Sequence, residues 1–372
     1  MKRNDKLMQI TFIAPGSSIH TVRWVNAMSN RGHDVSLITM HDEEVNSFND
    51  NVQIFNLPIK NSLGYYLNFP FIKNIIKKIK PDIVNTHYAS GYGTLSRLLN
   101  FTPTLLSVWG SDVFDFPYQS KFKKSILVKN LQSSTEIAST SYVMKKQTQK
   151  FVNDKKIHIT PFGVNLNKFK IVDKKTKKET INIGIIKTLT EKYGIKYLIK
   201  AVKILLDRLY EEDLLELKTK IRLTIIGDGK QKEALINLSK NLDINSITTF
   251  VGLIPHKKVP EYLNSFDIFC VPSLQESFGV SAIEASACGL PVIASDVGGL
   301  PEVIEDKVTG YIVPPKDAKK LADKLYNLVI NKEKRENLGE NGRKRVENLY
   351  NWDKNVEKME DVYQTLIQKY NS

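Results

Sequence analysis

Cysteine is almost missing from this chain of 372 residues: Cys270 and Cys288 are the only two. Both sit in apolar runs, Phe269-Cys270-Val271 and Ala287-Cys288-Gly289, and they read as buried thiols in a reducing compartment rather than a disulfide. Long apolar runs are missing too, since none approaches the roughly 20 residues that span a bilayer. The opening Met1-Lys2-Arg3-Asn4-Asp5-Lys6 is charged, but only a short apolar stretch follows before Pro15-Gly16, which is not the pattern of a signal peptide. The expectation is a cytoplasmic protein, associated at most with the inner face of the cell membrane. No metal-ligand cluster is visible. The first turn, Ala14-Pro15-Gly16-Ser17-Ser18, lacks the closely spaced glycines of a dinucleotide site, which argues against an oxidoreductase. The basic residues form no nucleic-acid reading motif, so no nucleic-acid partner is expected, although a non-enzymatic basic nucleic-acid-binding protein is an alternative that would explain the charge.

What is present is a basic, apolar-rich chain. Lys and Arg number 54 against 40 Asp and Glu, for a net charge of +14, and the apolar share of 41% supports folded domains. The charge is lopsided. Residues 1–170 carry 22 basic and 11 acidic side chains (+11), and residues 171–372 carry 32 and 29 (+3). A negatively charged partner is therefore expected to meet the first half, with nucleic acid, an anionic membrane face and a phosphorylated substrate all open on charge alone.

The length suits two domains. Leu7 to Ala14 reads as a strand, and Val22 to Arg31 spaces apolar residues as a helix packed on a sheet does. Val35 to Thr39, Ile83 to Thr86 and Leu105 to Val108 are further short strands. The charged stretch Asp173 to Glu179 is the candidate linker. Ile181 to Ile186, Ile221 to Ile226, Phe266 to Val271 and Pro291 to Ala294 restart the rhythm, and helix follows from Lys316. Alternating strands and helices predict an α/β fold of two mostly parallel sheets. Expected domains are 1–170, 171–350 and a C-terminal helix, 351–372, packing back on the first. Ligands of such sheets bind at the carboxyl ends of strands, which the two domains are expected to present across a cleft.

Glu276 and Glu284 stand eight positions apart in Gln275-Glu276-Ser277-Phe278-Gly279-Val280-Ser281-Ala282-Ile283-Glu284. A strand ends before this segment and a helix begins within it. Amides near Ser277, Phe278, Gly279 and Val280 suit phosphate oxygens, and Gly279 permits close backbone approach. Glu284 on the helix suits two ribose hydroxyls, and Glu276 suits hydroxyls of a sugar. The same spacing also fits an ordinary capped helix with two surface carboxylates. Lys187 follows a strand, and Lys192 lies in Thr190-Glu191-Lys192-Tyr193-Gly194. Both suit a diphosphate leaving group, although a lone lysine is usually solvated surface. Gly227, in the turn Gly227-Asp228-Gly229 at a strand end, belongs to the same candidate pocket.

These residues resemble a retaining glycosyltransferase of the large family four, with the GT-B architecture of two Rossmann-like domains. The element from Glu276 to Glu284, followed by Ala285-Ser286-Ala287-Cys288-Gly289-Leu290-Pro291-Val292, resembles the donor-site signature of that family. Asp296 to Glu302, Gly310 to Val313 and the segment Pro161 to Phe169, with Asn165 and Phe169, are similar to its other conserved-type segments. Within that family the chain resembles bacterial cell-surface polysaccharide glycosyltransferases, with capsule assembly as one expected setting. The resemblance implies transfer of a hexose or N-acetylhexosamine from a nucleotide-diphosphate sugar, UDP-sugar favoured, to a hydroxyl of a glycan or lipid-linked acceptor. It also implies no metal and no cofactor. Glu284 resembles the family's ribose-binding glutamate, Glu276 its donor-sugar glutamate and Lys192 its diphosphate-binding lysine, while Lys187 stands in place of the family's usual arginine. Gly16 resembles the glycine lining the donor phosphates.

In the first half, Ser18, His20 and Arg23 lie in or just after the first loop and are candidates for the acceptor. Trp109-Gly110-Ser111-Asp112 follows a strand. Trp109 stands where many relatives carry histidine, and it can neither act as a base nor accept a hydrogen bond. Asp112 matches the family's acidic position and is expected to orient an acceptor hydroxyl. His87 resembles another recurrent histidine. Gly32-His33 reads as a helix stop, and His33 is not expected to be catalytic. Tyr65, Tyr66, Phe69 and Phe71 beside Lys73, Lys77, Lys78 and Lys80 suit contact of the N-terminal domain with an anionic membrane. Phe114, Phe116, Tyr118 and Phe122 among Lys121, Lys123, Lys124 and Lys129 suit it equally. Core aromatics with solvated lysines are the plainer reading. A sugar-nucleotide epimerase of similar architecture would bind the same donor but isomerise it without an acceptor.

Overall fold

Short runs of Ile, Val and Leu build the centres of two all-parallel sheets. The computed structural model describes residues 7–41, 47–172 and 179–370. The chain divides into unit one, residues 1–161 with 354–372, and unit two, residues 162–353. Unit one holds strands β1 (Gln9–Ile13), β2 (Asp34–Thr39), β3 (Gln53–Asn56), β4 (Ile83–His87), β5 (Thr104–Val108), β6 (Glu136–Ser139) and β7 (Ile157–Ile159). Their order across the sheet is β3-β2-β1-β4-β5-β6-β7. Every residue of β4, β5 and β6 is buried, as in a sheet covered by helices on both faces. Unit two holds β8 (Ile181–Ile186), β9 (Ile221–Ile226), β10 (Thr248–Gly252), β11 (Ile268–Val271), β12 (Val292–Ser295) and β13 (Gly310–Val313), in the order β10-β9-β8-β11-β12-β13.

Each sheet reverses its winding once, between β1 and β4 and between β8 and β11. That is the place where an open α/β sheet leaves a crevice at the strand carboxyl ends. Register is set by the apolar pairs: Ile10 lies beside Val35 on one side and Ile83 on the other, and Ile183 beside Leu223 and Ile268. In unit two the helix Ile195–Glu211 lays Leu198, Val202, Leu205 and Leu209 in one core with Leu321, Leu325 and Leu328 of the helix Ala318–Ile330. Burying each such side chain contributes roughly 1.5–3 kcal/mol.

The first helix, Ile19–Asn30, starts earlier than the apolar spacing from Val22 indicates, with Ser18 at its N-cap position. His20 and Arg23 therefore lie on the helix, not in the loop. The edge strands β3, β7 and β10 are partly exposed and carry no clear apolar run.

The chain leaves unit one after Pro161, ahead of the boundary at 170 suggested by sequence. Of the charged stretch Asp173 to Glu179, residues 173–178 lie outside the described residues. The segments around Val164 and Asn351 run side by side in unit two: Val164 N–H donates to Tyr350 O (2.8 Å) and Trp352 N–H to Val164 O (3.1 Å). The last helix, Trp352–Tyr370, joins unit one from Lys354 onward. There Asn85 Nδ2 donates to Tyr363 Oη (2.8 Å), and Glu360 receives His33 Nε2 (2.7 Å) and Arg31 (2.9 Å). His33 is thus a structural anchor. Cys270 and Cys288 are free and buried. Among the described residues no helix is long and apolar enough to cross a membrane.

Candidate functional site

In unit two the loops after β8 and β11 interlock. Gly194 has φ +62°, and a Cβ there would come 2.0 Å from Pro272 O, so only glycine permits this approach. Lys192 O then accepts from the N–H groups of Leu274 (2.7 Å) and Gln275 (3.3 Å). This clasp brings Lys187, directly after β8, to Glu276: Nζ donates to Oε2 at 2.6 Å. The side chains are only 13% and 11% exposed, so the pair is largely withdrawn from water. The ring of Tyr193 lies 4.6 Å from Lys187 Nζ and 5.0 Å from Lys192 Nζ, gathering both cations at the strand end. Gly227 lies under this loop: a Cβ would stand 1.9 Å from Lys187 O, which makes it a support for Lys187's backbone. Gly299 N–H donates to Glu276 O (3.2 Å), so the Gly298-Gly299 turn holds the acidic loop from behind.

Phe278 is buried between Phe162 and Tyr350, with ring centroids 5.9 and 5.7 Å away, and fixes the entry to the next helix. Gly279 (φ +109°) precedes the helix Val280–Ala287. Gly279 O accepts from Ala282 N–H (3.0 Å) and Ile283 N–H (3.2 Å). The earlier amides of Val280 and Ser281 have no turn before them to supply an intrahelical acceptor, which is the usual anion-receptive end of a helix. Ser277 sits against the Gly298-Gly299 turn, where a Cβ on Gly299 would come 2.7 Å from Ser277 O. Glu284, on the same helix, is buried, and its Oε1 accepts from His256 Nε2 at 2.9 Å. Burial, then the charge of Glu284, pushes the neighbouring Cys288 thiol up to about 12, so it stays neutral. Lys187, Lys192, Glu276, Ser277, Phe278, Gly279, Val280 and Glu284 thus share one end of unit two.

In unit one a second group gathers after β1, β4 and β5. Trp109 is ringed by His87, Tyr88 and His20, with centroids 4.0, 5.1 and 5.8 Å away. His87 Nδ1 and Thr21 Oγ1 are 3.2 Å apart. Burial holds the His87 pKa well below its ordinary value, and the charge of His20 adds to this, so His87 is neutral. Burial, then the charge of Asp112, raises the Tyr88 pKa, and Ser18 beside its hydroxyl lowers it. Asp112 accepts N–H donors from Ala89 (2.9 Å), Gly110 (2.8 Å) and Trp109 (3.2 Å). Burial raises its pKa and those amides lower it. Its oxygens are committed to backbone, so Asp112 shapes the loops that carry Trp109 instead of presenting an open carboxylate. Gly16 N–H donates to Thr39 Oγ1 (2.9 Å), and a Cβ at Gly16 would come 3.0 Å from His41 O. Arg23 is half-buried one turn along the helix from His20.

Sequence reasoning overlooked His256, Lys168, Tyr193 and Tyr88. His256 had one usable signal, its place four residues after the end of β10. Among the described residues no group of three or more His, Cys, Asp or Glu is placed to hold a metal ion.

Residues 167–345 match the family model "Glycosyl transferases group 1", and residues 9–141 match "Glycosyl transferase 4-like". The capsular polysaccharide biosynthesis glycosyltransferase CapM of Staphylococcus aureus is 26% identical, over 99% of each chain. The phosphatidylinositol N-acetylglucosaminyltransferase gpi3 subunit of Schizosaccharomyces pombe is 23% identical, over 96% of this chain and 79% of its own. Among solved structures, sucrose-phosphate synthase from Thermosynechococcus elongatus superposes with a TM-score of 0.81 at 22% identity, covering 97% of this chain and 99% of that one. Anabaena HepE in complex with UDP gives 0.80 at 15% identity, covering 96% and 100%. These likenesses establish the two Rossmann-like domains of the GT-B fold.

Proposed function

The chain belongs to the group 1 glycosyltransferases, and from that premise we propose that it moves a hexose or N-acetylhexosamine from a nucleotide-diphosphate sugar, in the first place a UDP-sugar, to a hydroxyl of a glycan or lipid-linked acceptor in cell-surface polysaccharide assembly. The observation that carries this reading is the Lys187–Glu276 pair at the carboxyl ends of β8 and β11, beside the helix opened by Gly279. A cation, a hydrogen-bond acceptor for hydroxyls and a phosphate-receptive helix end are the three things a sugar diphosphate needs. The named relative CapM, and HepE with its bound UDP, point the same way.

In this reading the diphosphate lies on the amides of Val280 and Ser281, with Lys187 and Lys192 opposing its charge. Glu284 takes the ribose hydroxyls, and Glu276 takes hydroxyls of the sugar. The acceptor oxygen bonds to the anomeric carbon as the bond to the phosphate oxygen breaks. Negative charge grows on the leaving diphosphate, where the lysines and amides stabilise it more than in the ground state. The acceptor proton passes to the departing phosphate oxygen on the same face, and the anomeric configuration is retained. No metal is needed. Trp109 offers an apolar ring to the acceptor, set in place by His20, His87 and Asp112. Proton NMR of the product tests the stereochemistry: an inverted linkage, or a rate abolished by EDTA, overturns these assignments.

The acceptor side also suits a membrane surface. The helix Phe69–Ile79 buries Ile72, Ile76 and Ile79 on unit one and leaves Phe71, Lys73, Lys77 and Lys78 exposed. Leu63, Tyr66 and Leu67 are exposed just before it. Apolar residues beside lysines fit the headgroup region of an anionic bilayer.

A further inference from the structure

Glu284 does not stand alone. Its Oε1 accepts from His256 Nε2 at 2.9 Å, and Lys168 Nζ stands 3.0 Å from the other ring nitrogen, Nδ1. An ammonium group only donates. Nδ1 is therefore the acceptor, the ring proton sits on Nε2, and Nε2–H points at the carboxylate. The lysine thus selects the one tautomer that serves Glu284.

The chain is braced on both sides. Asn165 Oδ1 accepts the N–H groups of Asn167 (2.9 Å) and Lys168 (3.0 Å), which folds the backbone into a tight turn under Lys168. Phe169 is buried, with its ring 5.8 Å from that of His256. Arg343 donates to Phe169 O (2.7 Å) and to Ala287 O (2.5 Å), tying this turn to the end of the helix that carries Glu284. The His256 side chain remains 39% exposed, so the arrangement lines an accessible surface.

We propose that His256 is a positioning residue for nucleotide binding: together with Lys168 it holds the Glu284 carboxylate in the orientation that receives the two ribose hydroxyls. The inference rests on the reading of Glu284 as the ribose ligand. Glu284 has three side-chain torsions to fix, and the N–H donor of His256 holds its carboxylate in one of the orientations they allow. Glutamine at 256 keeps an N–H for Glu284 and an acceptor for Lys168. Alanine keeps neither.

Calorimetric titration of UDP and GDP into the full chain tests this, with melting temperature recorded for each variant. Wild type is expected to bind at least one of the two. Glu284→Ala and His256→Ala each weaken binding about tenfold or more, as loss of a hydrogen bond to a charged group does. His256→Gln stays within about threefold of wild type, and Lys168→Met loses a few-fold. In turnover, His256→Ala raises the donor KM and leaves kcat nearly unchanged, the mark of lost uniform binding. If neither nucleotide binds wild type, or Glu284→Ala binds as wild type, the ribose reading itself falls. If Glu284→Ala is weak but His256→Ala binds as wild type, the inference alone is overturned. Equal weakening in His256→Ala and His256→Gln, with a lowered melting temperature in both, overturns it too, because that is a packing role.

Discussion

Replacing Glu276 by alanine removes one partner of an ion pair that is almost withdrawn from water. Glu276 Oε2 lies 2.6 Å from Lys187 Nζ, and the two side chains are 11% and 13% exposed. Truncating one member of a buried pair leaves the other charge uncompensated and costs about 3–5 kcal/mol. The remaining exposure places this pair at the lower end, about 3 kcal/mol. For a unit of this size each kcal/mol moves the melting point by roughly 2–4 °C, so unit two is expected to melt about 6–12 °C lower. The double variant Glu276→Leu with Lys187→Met removes both charges and recovers most of that loss. Transfer behaves differently. Glu276→Ala is expected to lower kcat/KM about 100-fold or more, the usual scale for a polar group aimed at a reacting centre, and the double variant does not regain it. Scanning calorimetry and initial rates with a UDP-sugar separate the two effects. A Glu276→Ala protein melting with wild type refutes the burial argument, and unchanged turnover refutes the donor role.

Gly279→Ala places a Cβ 2.9 Å from Leu300 Cδ2 on a backbone at φ +109°, so a loss of about 1–3 kcal/mol and a raised donor KM are expected by thermal unfolding and kinetics. His87 is held neutral by burial, so its folded pKa lies below its unfolded value near 6.5. The unfolded chain then binds the extra proton first. Stability from this group is present above about pH 6.5 and is lost as pH falls toward the folded pKa, at up to about 1.4 kcal/mol per pH unit. A His87→Phe protein that shows the same fall between pH 7 and 5 in denaturant titrations contradicts this. Glu360→Ala leaves His33 and Arg31 without their shared carboxylate, and hydrogen exchange is expected to speed up in residues 354–370. Phe71→Ser with Leu67→Ser is expected to abolish sedimentation with anionic vesicles, and equal pelleting of wild type with neutral vesicles argues against a charge-directed surface.

Much of the fold was legible because its central strands are unbroken apolar runs. Ile181–Ile186 and Ile221–Ile226 were readable to the residue. The edge strands β3, β7 and β10 were not, since a half-exposed strand such as Gln53–Asn56 carries no run to read. The motif from Glu276 to Glu284 singled out the end of unit two proposed as the donor site because its residues are local in sequence. What stayed hidden depends on distant pairs: Lys187 with Glu276 across 89 positions, His256 with Glu284 across 28 and Lys168 with His256 across 88. Asp112 shows the converse. Its place after a strand resembles that of a reactive carboxylate, and only the three amides that fill its oxygens reveal a structural task.

The most direct test is a crystal structure of the protein with UDP. Ribose hydroxyls on Glu284, with the diphosphate against the amides of Val280 and Ser281 and the ammonium groups of Lys187 and Lys192, are the expected result. UDP seated away from the helix Val280–Ala287, with Glu284 still turned only to His256, would contradict the assignment of this end of unit two as the donor site.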